Sequence, residues 1–132
     1  MAEVKYTCEG DIFCGVNKPK DKNNLVELEK KHMAVIKAPD GVKKDEVFEV
    51  SVRIGGIDGV EHPNEPGHFI EWVELYCGDT FLGRCGFNGG TSYPSAVFKV
   101  KLSHAHGPLK VWSKCNLHGL WESVTDLKMY GS

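Results

Sequence analysis

Five side chains in this sequence have the types and the spacing to hold one transition-metal ion. Cys115 and His118 stand three residues apart in Lys114-Cys-Asn-Leu-His-Gly-Leu-Trp121, so a thiolate and an imidazole can face one point across a tight turn. Taken alone, Cys-x-x-His is weakly specific, because the same pair arises by chance and in zinc sites. It gains weight from His62 and His68, which flank Pro-Asn-Glu-Pro-Gly, and from His32 upstream. Pro63 and Pro66 stiffen the loop between the two histidines and lower the entropy lost when ligands close on an ion. Four imidazoles and one thiolate suit a mid-row redox metal and are a poor fit to structural zinc. The bland alternative for each histidine taken singly is a solvated loop residue. His104 and His106, in Ser-His-Ala-His-Gly, are further candidates that the residues alone leave open.

The elements that must position these groups read as strands. Phe48, Val50, Val52 and Ile54 alternate with Glu49, Ser51 and Arg53, the period of a half-buried strand. Ala96, Phe98, Val100 and Leu102 repeat that pattern. Runs from Met33 to Lys37, Phe69 to Cys77, Thr80 to Phe87, Leu109 to Lys114 and Trp121 to Met129 complete the set. Gly78-Asp79 predicts a tight hairpin that brings Cys77 and Cys85 onto adjacent strands, side by side. Leu25 to His32 reads either as a short helical turn capped by Asn24 or as an irregular lead into the first strand. Roughly seven short strands with no long helix predict an all-β fold, an immunoglobulin-like antiparallel β-sandwich. Residues 1–24, dense in turn formers and charges, read as a loop-like N-terminal lead, and residues 25–132 as the single domain. Trp72, Trp112 and Trp121 are expected to serve core and interface packing.

Composition excludes several classes of function. The chain has 132 residues, enough for one domain with a core, and a formal net charge of −2 offers no electrostatic case for binding nucleic acid or anionic membrane. No apolar run approaches the roughly 20 residues that span a bilayer. The opening Met-Ala-Glu-Val-Lys-Tyr-Thr-Cys has no apolar stretch before a cleavage site, so the expected location is the cytoplasm. Five cysteines, an odd number, then argue against a disulfide framework and for metal ligands, redox groups or buried small hydrophobes.

The segments Glu29-Lys-Lys-His32, His62-Pro-Asn-Glu-Pro-Gly-His68-Phe-Ile-Glu-Trp72 and Cys115-Asn-Leu-His118-Gly-Leu-Trp121 resemble the superoxide reductases, the neelaredoxin and desulfoferrodoxin family, from about residue 25 to the C-terminus. The resemblance implies an immunoglobulin-like sandwich around a non-haem iron. His32, His62, His68 and His118 would be its equatorial ligands, Cys115 its axial ligand, and the sixth position would stay open. It implies one-electron reduction of superoxide to hydrogen peroxide, a donor protein such as rubredoxin or ferredoxin, and a homo-oligomer, dimer or tetramer. Backbone amides of Leu117 and His118 are the nearest donors to the Cys115 sulfur. His104 and His106 fall outside the motif and become surface loop residues. The chain departs from the family at two positions: Lys30 stands where a glutamate is usual, and Ala34 replaces a proline. Lys31 keeps the place of the cation that attracts superoxide. Glu29 becomes the candidate carboxylate ligand, one residue early, unless the site works without one. The competing classes are an electron carrier using the same iron and a zinc-stabilised sandwich.

Cys8, Cys14, Cys77 and Cys85 remain, the number a tetrathiolate site needs. A subgroup, the methanoferrodoxins, pairs this domain with an iron–sulfur cluster, and the resemblance extends to a candidate [4Fe–4S] cluster on these cysteines relaying electrons to the iron. Their Cys-x5-Cys and Cys-x7-Cys spacings match neither common ferredoxin run, so unligated cysteines and a mononuclear iron or zinc site stay as alternatives.

Overall fold

In the computed structural model, residues 15–130 are described. Seven strands of four or more residues carry the fold, numbered here with three shorter ones in chain order. They are β2 (Ala34–Lys37), β4 (Val47–Ile54), β5 (Ile70–Cys77), β6 (Thr80–Gly86), β7 (Ser95–Lys101), β8 (Leu109–Cys115) and β9 (Gly119–Thr125). The short ones are β1 (Val16–Asn17), β3 (Gly41–Lys43) and β10 (Lys128–Tyr130). One sheet runs β1-β9-β8-β5-β6 and a second β2-β4-β7, while β10 pairs β3 in a small ribbon. The pairings within both larger sheets are antiparallel except β1 with β9.

The alternation read from sequence is the alternation of burial. Phe48, Val50, Val52 and Ile54 of β4 point inward and meet Val73, Leu75 and Cys77 of β5 and Leu109, Val111 and Cys115 of β8 in one core. Each fully buried aliphatic side chain contributes about 1.5–3 kcal/mol by leaving water. Two sheets closing on a shared apolar face make the expected β-sandwich. Where sequence suggested one last strand from Trp121 to Met129, the chain breaks after Thr125, and β10 leaves the main sheet to run parallel to β3. Residues 18–26 are irregular, whereas Val16 and Asn17, within the segment read as a loop-like lead, extend the five-stranded sheet beside Leu120 and Trp121.

The segment before His32 is helical. In α1 (Glu27–His32), acidic residues occupy the first turn and Lys30, Lys31 and His32 the last, the arrangement the helix dipole favours. Its cap is Val26, not Asn24, whose amide instead bonds Asp21 in the preceding turn. Met33 then turns extended and starts the chain into β2, which leaves His32 at the helix end facing the sheet.

Candidate metal centre

Three pieces of irregular or terminal chain bring the donors together. His32 ends α1, His62 and His68 sit in the loop before β5, and Cys115 and His118 bracket the turn from β8 to β9. The four imidazoles close a ring in the order 32, 62, 68, 118. Neighbouring centroids lie 4.8 Å (His32–His62), 4.9 Å (His62–His68), 5.0 Å (His68–His118) and 5.0 Å (His118–His32) apart. Neighbouring rings are steeply inclined, by 55° to 79°, so their edges converge instead of stacking. The Cys115 sulfur joins them at 3.2 Å from His62 Nε2 and 3.6 Å from His118 Nδ1.

Hydrogen bonds fix which nitrogen faces the centre. His32 Nδ1–H donates to Leu28 O at 2.8 Å and His62 Nδ1–H to Pro63 O at 2.6 Å, which leaves both Nε2 lone pairs directed inward. His68 presents Nε2 and His118 presents Nδ1, 3.2 Å apart. Burial holds His32 down at a pKa of about 3 and His62 at about 4, and it lowers His68 as well. At neutral pH these imidazoles are uncharged and have lone pairs to give. Burial raises the Cys115 thiol, while backbone amides of Leu117 and His118 hydrogen-bond the sulfur and work the other way, the two donors expected from sequence.

These residues fit a bound ion. Metal–nitrogen and metal–sulfur bonds of about 2.1 and 2.3 Å place neighbouring ligand atoms about 3.0–3.1 Å apart and opposite ones about 4.2 Å apart. The donor atoms of His32, His62, Cys115 and His118 all lie within 4.8 Å of one another, so a few tenths of an ångström of closure suffice. His32 Nε2 supplies the sharper observation, being buried with no hydrogen-bond partner among the described residues. An unsatisfied buried polar atom costs about 1–3 kcal/mol, a cost that an ion at the ring centre removes. Five donors including a thiolate exceed the four of structural zinc and suit iron. His32, His62 and Cys115 are buried at 1%, 5% and 0% exposure, whereas His68 and His118 are half-buried and form the edge that faces solvent.

The surrounding residues hold this geometry. An irregularity in the β5–β8 register between Ile70 and Trp72 falls beside Cys115, where a bulge redirects the strand. Asn116 clamps the metal turn to the histidine loop, accepting from Phe69 N–H at 2.9 Å and donating to Gly67 O at 2.9 Å, one residue either side of His68. Gly55 lies at φ +80° where a Cβ would stand 2.7 Å from Lys31 O and 3.0 Å from His62 N, so only glycine lets the helix end and the loop approach. Trp121 stacks on His32 with centroids 4.6 Å apart and planes at 14°, and donates to His118 O at 2.9 Å. Sequence reasoning assigned Asn116 no role and Trp121 only packing, although both stand in the Cys115–Trp121 motif.

The other expected residues divide. Lys31 lies on the side of His62 and His68, close enough for its charge to help lower both, with Glu27 at 3.5 Å as its ion-pair partner. Lys30 pairs with Asp58 at 3.1 Å. Glu29 is not brought to the centre. It is buried, and its two oxygens accept from Val26 N–H at 2.9 Å and Lys20 N–H at 3.0 Å, so its carboxylate anchors the helix start and the lead. His104 and His106 are exposed in the loop before β8, at the opposite end of that strand from Cys115. The hairpin does place Cys77 and Cys85 on adjacent strands, but not side by side. Cys77 pairs with Thr80 and Cys85 with Val73, four residues or about 13 Å along the sheet. Cys8 and Cys14 lie outside the described residues.

Comparison with known proteins agrees with this geometry. Residues 24–124 match the family described as desulfoferrodoxin. A provisionally named superoxide reductase of Methanocaldococcus jannaschii is 38% identical over 113 residues, covering 83% of this chain and 90% of that one. A superoxide reductase of Pyrococcus horikoshii is 36% identical over 107 residues, 74% of this chain and 88% of its own. The solved superoxide reductase (neelaredoxin) from Ignicoccus hospitalis superposes with a TM-score of 0.73 at 35% identity, covering 87% of this chain and 95% of that chain. With its fold, its five converging donors and these relatives in agreement, the chain belongs to the desulfoferrodoxin family.

Proposed function

We propose that the chain is a superoxide reductase that binds one non-haem iron through His32, His62, His68, His118 and Cys115. The observation that carries this reading is the closed ring of four imidazoles against one buried sulfur, with His32 Nε2 buried and without a hydrogen-bond partner among the described residues. Iron(II) held by these five residues would supply the one electron that, with two protons, converts superoxide to hydrogen peroxide. The chain's own groups do the rest. Neutral imidazoles give their lone pairs without first releasing protons, because burial keeps His32 and His62 uncharged. The Leu117 and His118 amides donate to the thiolate sulfur, stabilising its charge and tuning the electron density it passes on. Lys31 places a positive charge near His62 and His68, where it draws the superoxide anion toward the solvent-facing edge.

Glu29 has no part in this mechanism, since both its oxygens are committed to backbone amides, and the site works without that carboxylate. The separation of Cys77 and Cys85 gives a [4Fe–4S] cluster no support among the described residues, so we take a single-iron enzyme. An external one-electron donor, a rubredoxin or ferredoxin, re-reduces it. A cytoplasmic location and a homo-oligomer are carried over from the sequence and the family resemblance. Separately, no helix among the described residues is long and apolar enough to cross a membrane. Adding superoxide to reduced, iron-loaded protein tests the function. One hydrogen peroxide per iron oxidised, without oxygen release, is expected. Peroxide and oxygen appearing together would indicate dismutation and reject the reading, and oxidation without peroxide would make the protein an electron carrier.

A further inference from the structure

Trp121 touches two of the metal ligands and is itself neither ligand nor surface. Its indole lies parallel to the His32 ring, and its Nε1–H reaches the carbonyl of His118. We infer that Trp121 is a positioning residue that sets the orientation of His32 relative to His118, and through it the fit of the donor ring to the ion. The inference rests on the metal-centre reading above and adds a residue to it.

The reason lies in how each ligand is held. Cys115 and His118 belong to one short turn between paired strands, and Asn116 ties His68 to that same turn. His32 comes from elsewhere. It ends a six-residue helix, and isolated helices shorter than about 12–15 residues are marginal in water. Its hydrogen bond to Leu28 is internal to that helix segment and fixes the ring's rotation but not the helix's place against the sheet. That placement is shared by β4, which pairs with β2 directly after the helix and whose following Gly55 N–H donates to Met33 O at 3.0 Å, and by β9. Trp121 is 4% exposed, and its backbone is paired on both sides, with Ser113 of β8 and Asn17 of β1. Two residues on, Ser123 Oγ accepts from Ala34 N–H at 2.7 Å. The β4 pairing and Ser123 together fix where the chain leaving the helix meets the two sheets, and the Trp121 plane lies against the imidazole itself. The indole N–H holds the far end of the metal turn to the same side chain.

Stacking and hydrogen bond are separable. Trp121→Leu removes both, while Trp121→Phe keeps an aromatic plane against His32 and loses only the bond to His118. The test titrates metal-free wild type and both variants with Co²⁺ against a competing chelator and records the visible spectrum of the loaded site. Reduction potentials of the iron-loaded forms complete it. Outer residues that orient ligands typically change metal affinity by about 10–100-fold. The Leu variant should lose affinity in that range with an altered spectrum and potential, and the Phe variant should lose less. A Leu variant that folds and binds Co²⁺ with wild-type affinity and spectrum overturns the inference, and lowered thermal stability alone would mark Trp121 as ordinary packing. Should the Leu variant not fold, the Phe variant decides: unchanged affinity, spectrum and potential there also overturn it. Wild type that binds no Co²⁺ would reject the metal centre itself, a failure of a different kind.

Discussion

The centre has two halves, and they are built differently. His32, His62 and Cys115 are almost completely buried, and their imidazoles are oriented by hydrogen bonds to local carbonyls, of Leu28 and Pro63. His68 and His118 are half-buried, and the structure orients them through the turn and loop that carry them, by way of Asn116 and Trp121. The buried half provides a preorganised seat with the thiolate beneath it. The exposed half provides the edge a small anion can reach, near Lys31. A site that must hold its ion and still admit a reactant assigns the two tasks to different ligands.

Removing ligands breaks that comparison most strongly. Cys115→Ala or His32→Ala should abolish stoichiometric iron retention, a loss beyond the roughly 10–100-fold expected when an outer residue is removed. His68→Ala should retain partial binding, because the seat stays formed. Dialysis against a chelator followed by metal analysis measures both, and equal losses in the two halves would contradict the division.

Acid sharpens the comparison in the metal-free protein. His32 and His62 have folded pKa values of about 3 and about 4, against 6.5 for the ordinary side chain. Between these values the unfolded chain takes up protons that the folded chain refuses. The stability these two contribute is therefore complete above about pH 6.5 and is lost as pH falls toward 4 and then 3. By pH 5 each histidine should have lost about 2 kcal/mol, and His68, lowered but more exposed, should have lost less. Urea titrations at pH 7 and pH 5 measure the sum. His32→Gln should flatten the dependence more than His68→Gln.

Asn116→Ala is the mildest of these changes. It removes two hydrogen bonds to backbone, worth about 1–3 kcal/mol together, and acts on the exposed half alone. Hydrogen exchange should speed up at the Phe69 amide while the amides of β4 keep their protection. Uniform acceleration would show that Asn116 stabilises the whole domain and not the His68 loop.

Different parts of this molecule were legible in the sequence for different reasons. β4 was plain, since eight residues carry a period of two that burial reproduces. β1 was not, because two residues hold no period, and its parallel partner lies more than a hundred positions away. The candidate ligands stood out because five donors at these spacings have few alternative uses, and the structure brings the four imidazoles and the sulfur together. Glu29 shows the limit of that approach. Its place beside His32 suggested a ligand, but a glutamate in the first turn of a helix also answers the free amides there, and the structure uses it so. The hairpin itself was read correctly, but the side-by-side placement of its cysteines failed for a simpler reason. A two-residue connection at Gly78-Asp79 fixes the register, which sets Cys77 at the turn and Cys85 well away from it. Trp121 stood in the Cys115–Trp121 motif but was read only as packing, because stacking against a residue of another element has no periodic signature along the chain.

The most direct test of the centre combines metal and acid-labile sulfide analysis with X-ray absorption at the iron edge, on anaerobically purified protein. One iron per chain, no labile sulfide, and a first shell of nitrogen with a single sulfur are the predicted result. Iron surrounded by several sulfurs, or zinc in four-coordinate geometry, would contradict it.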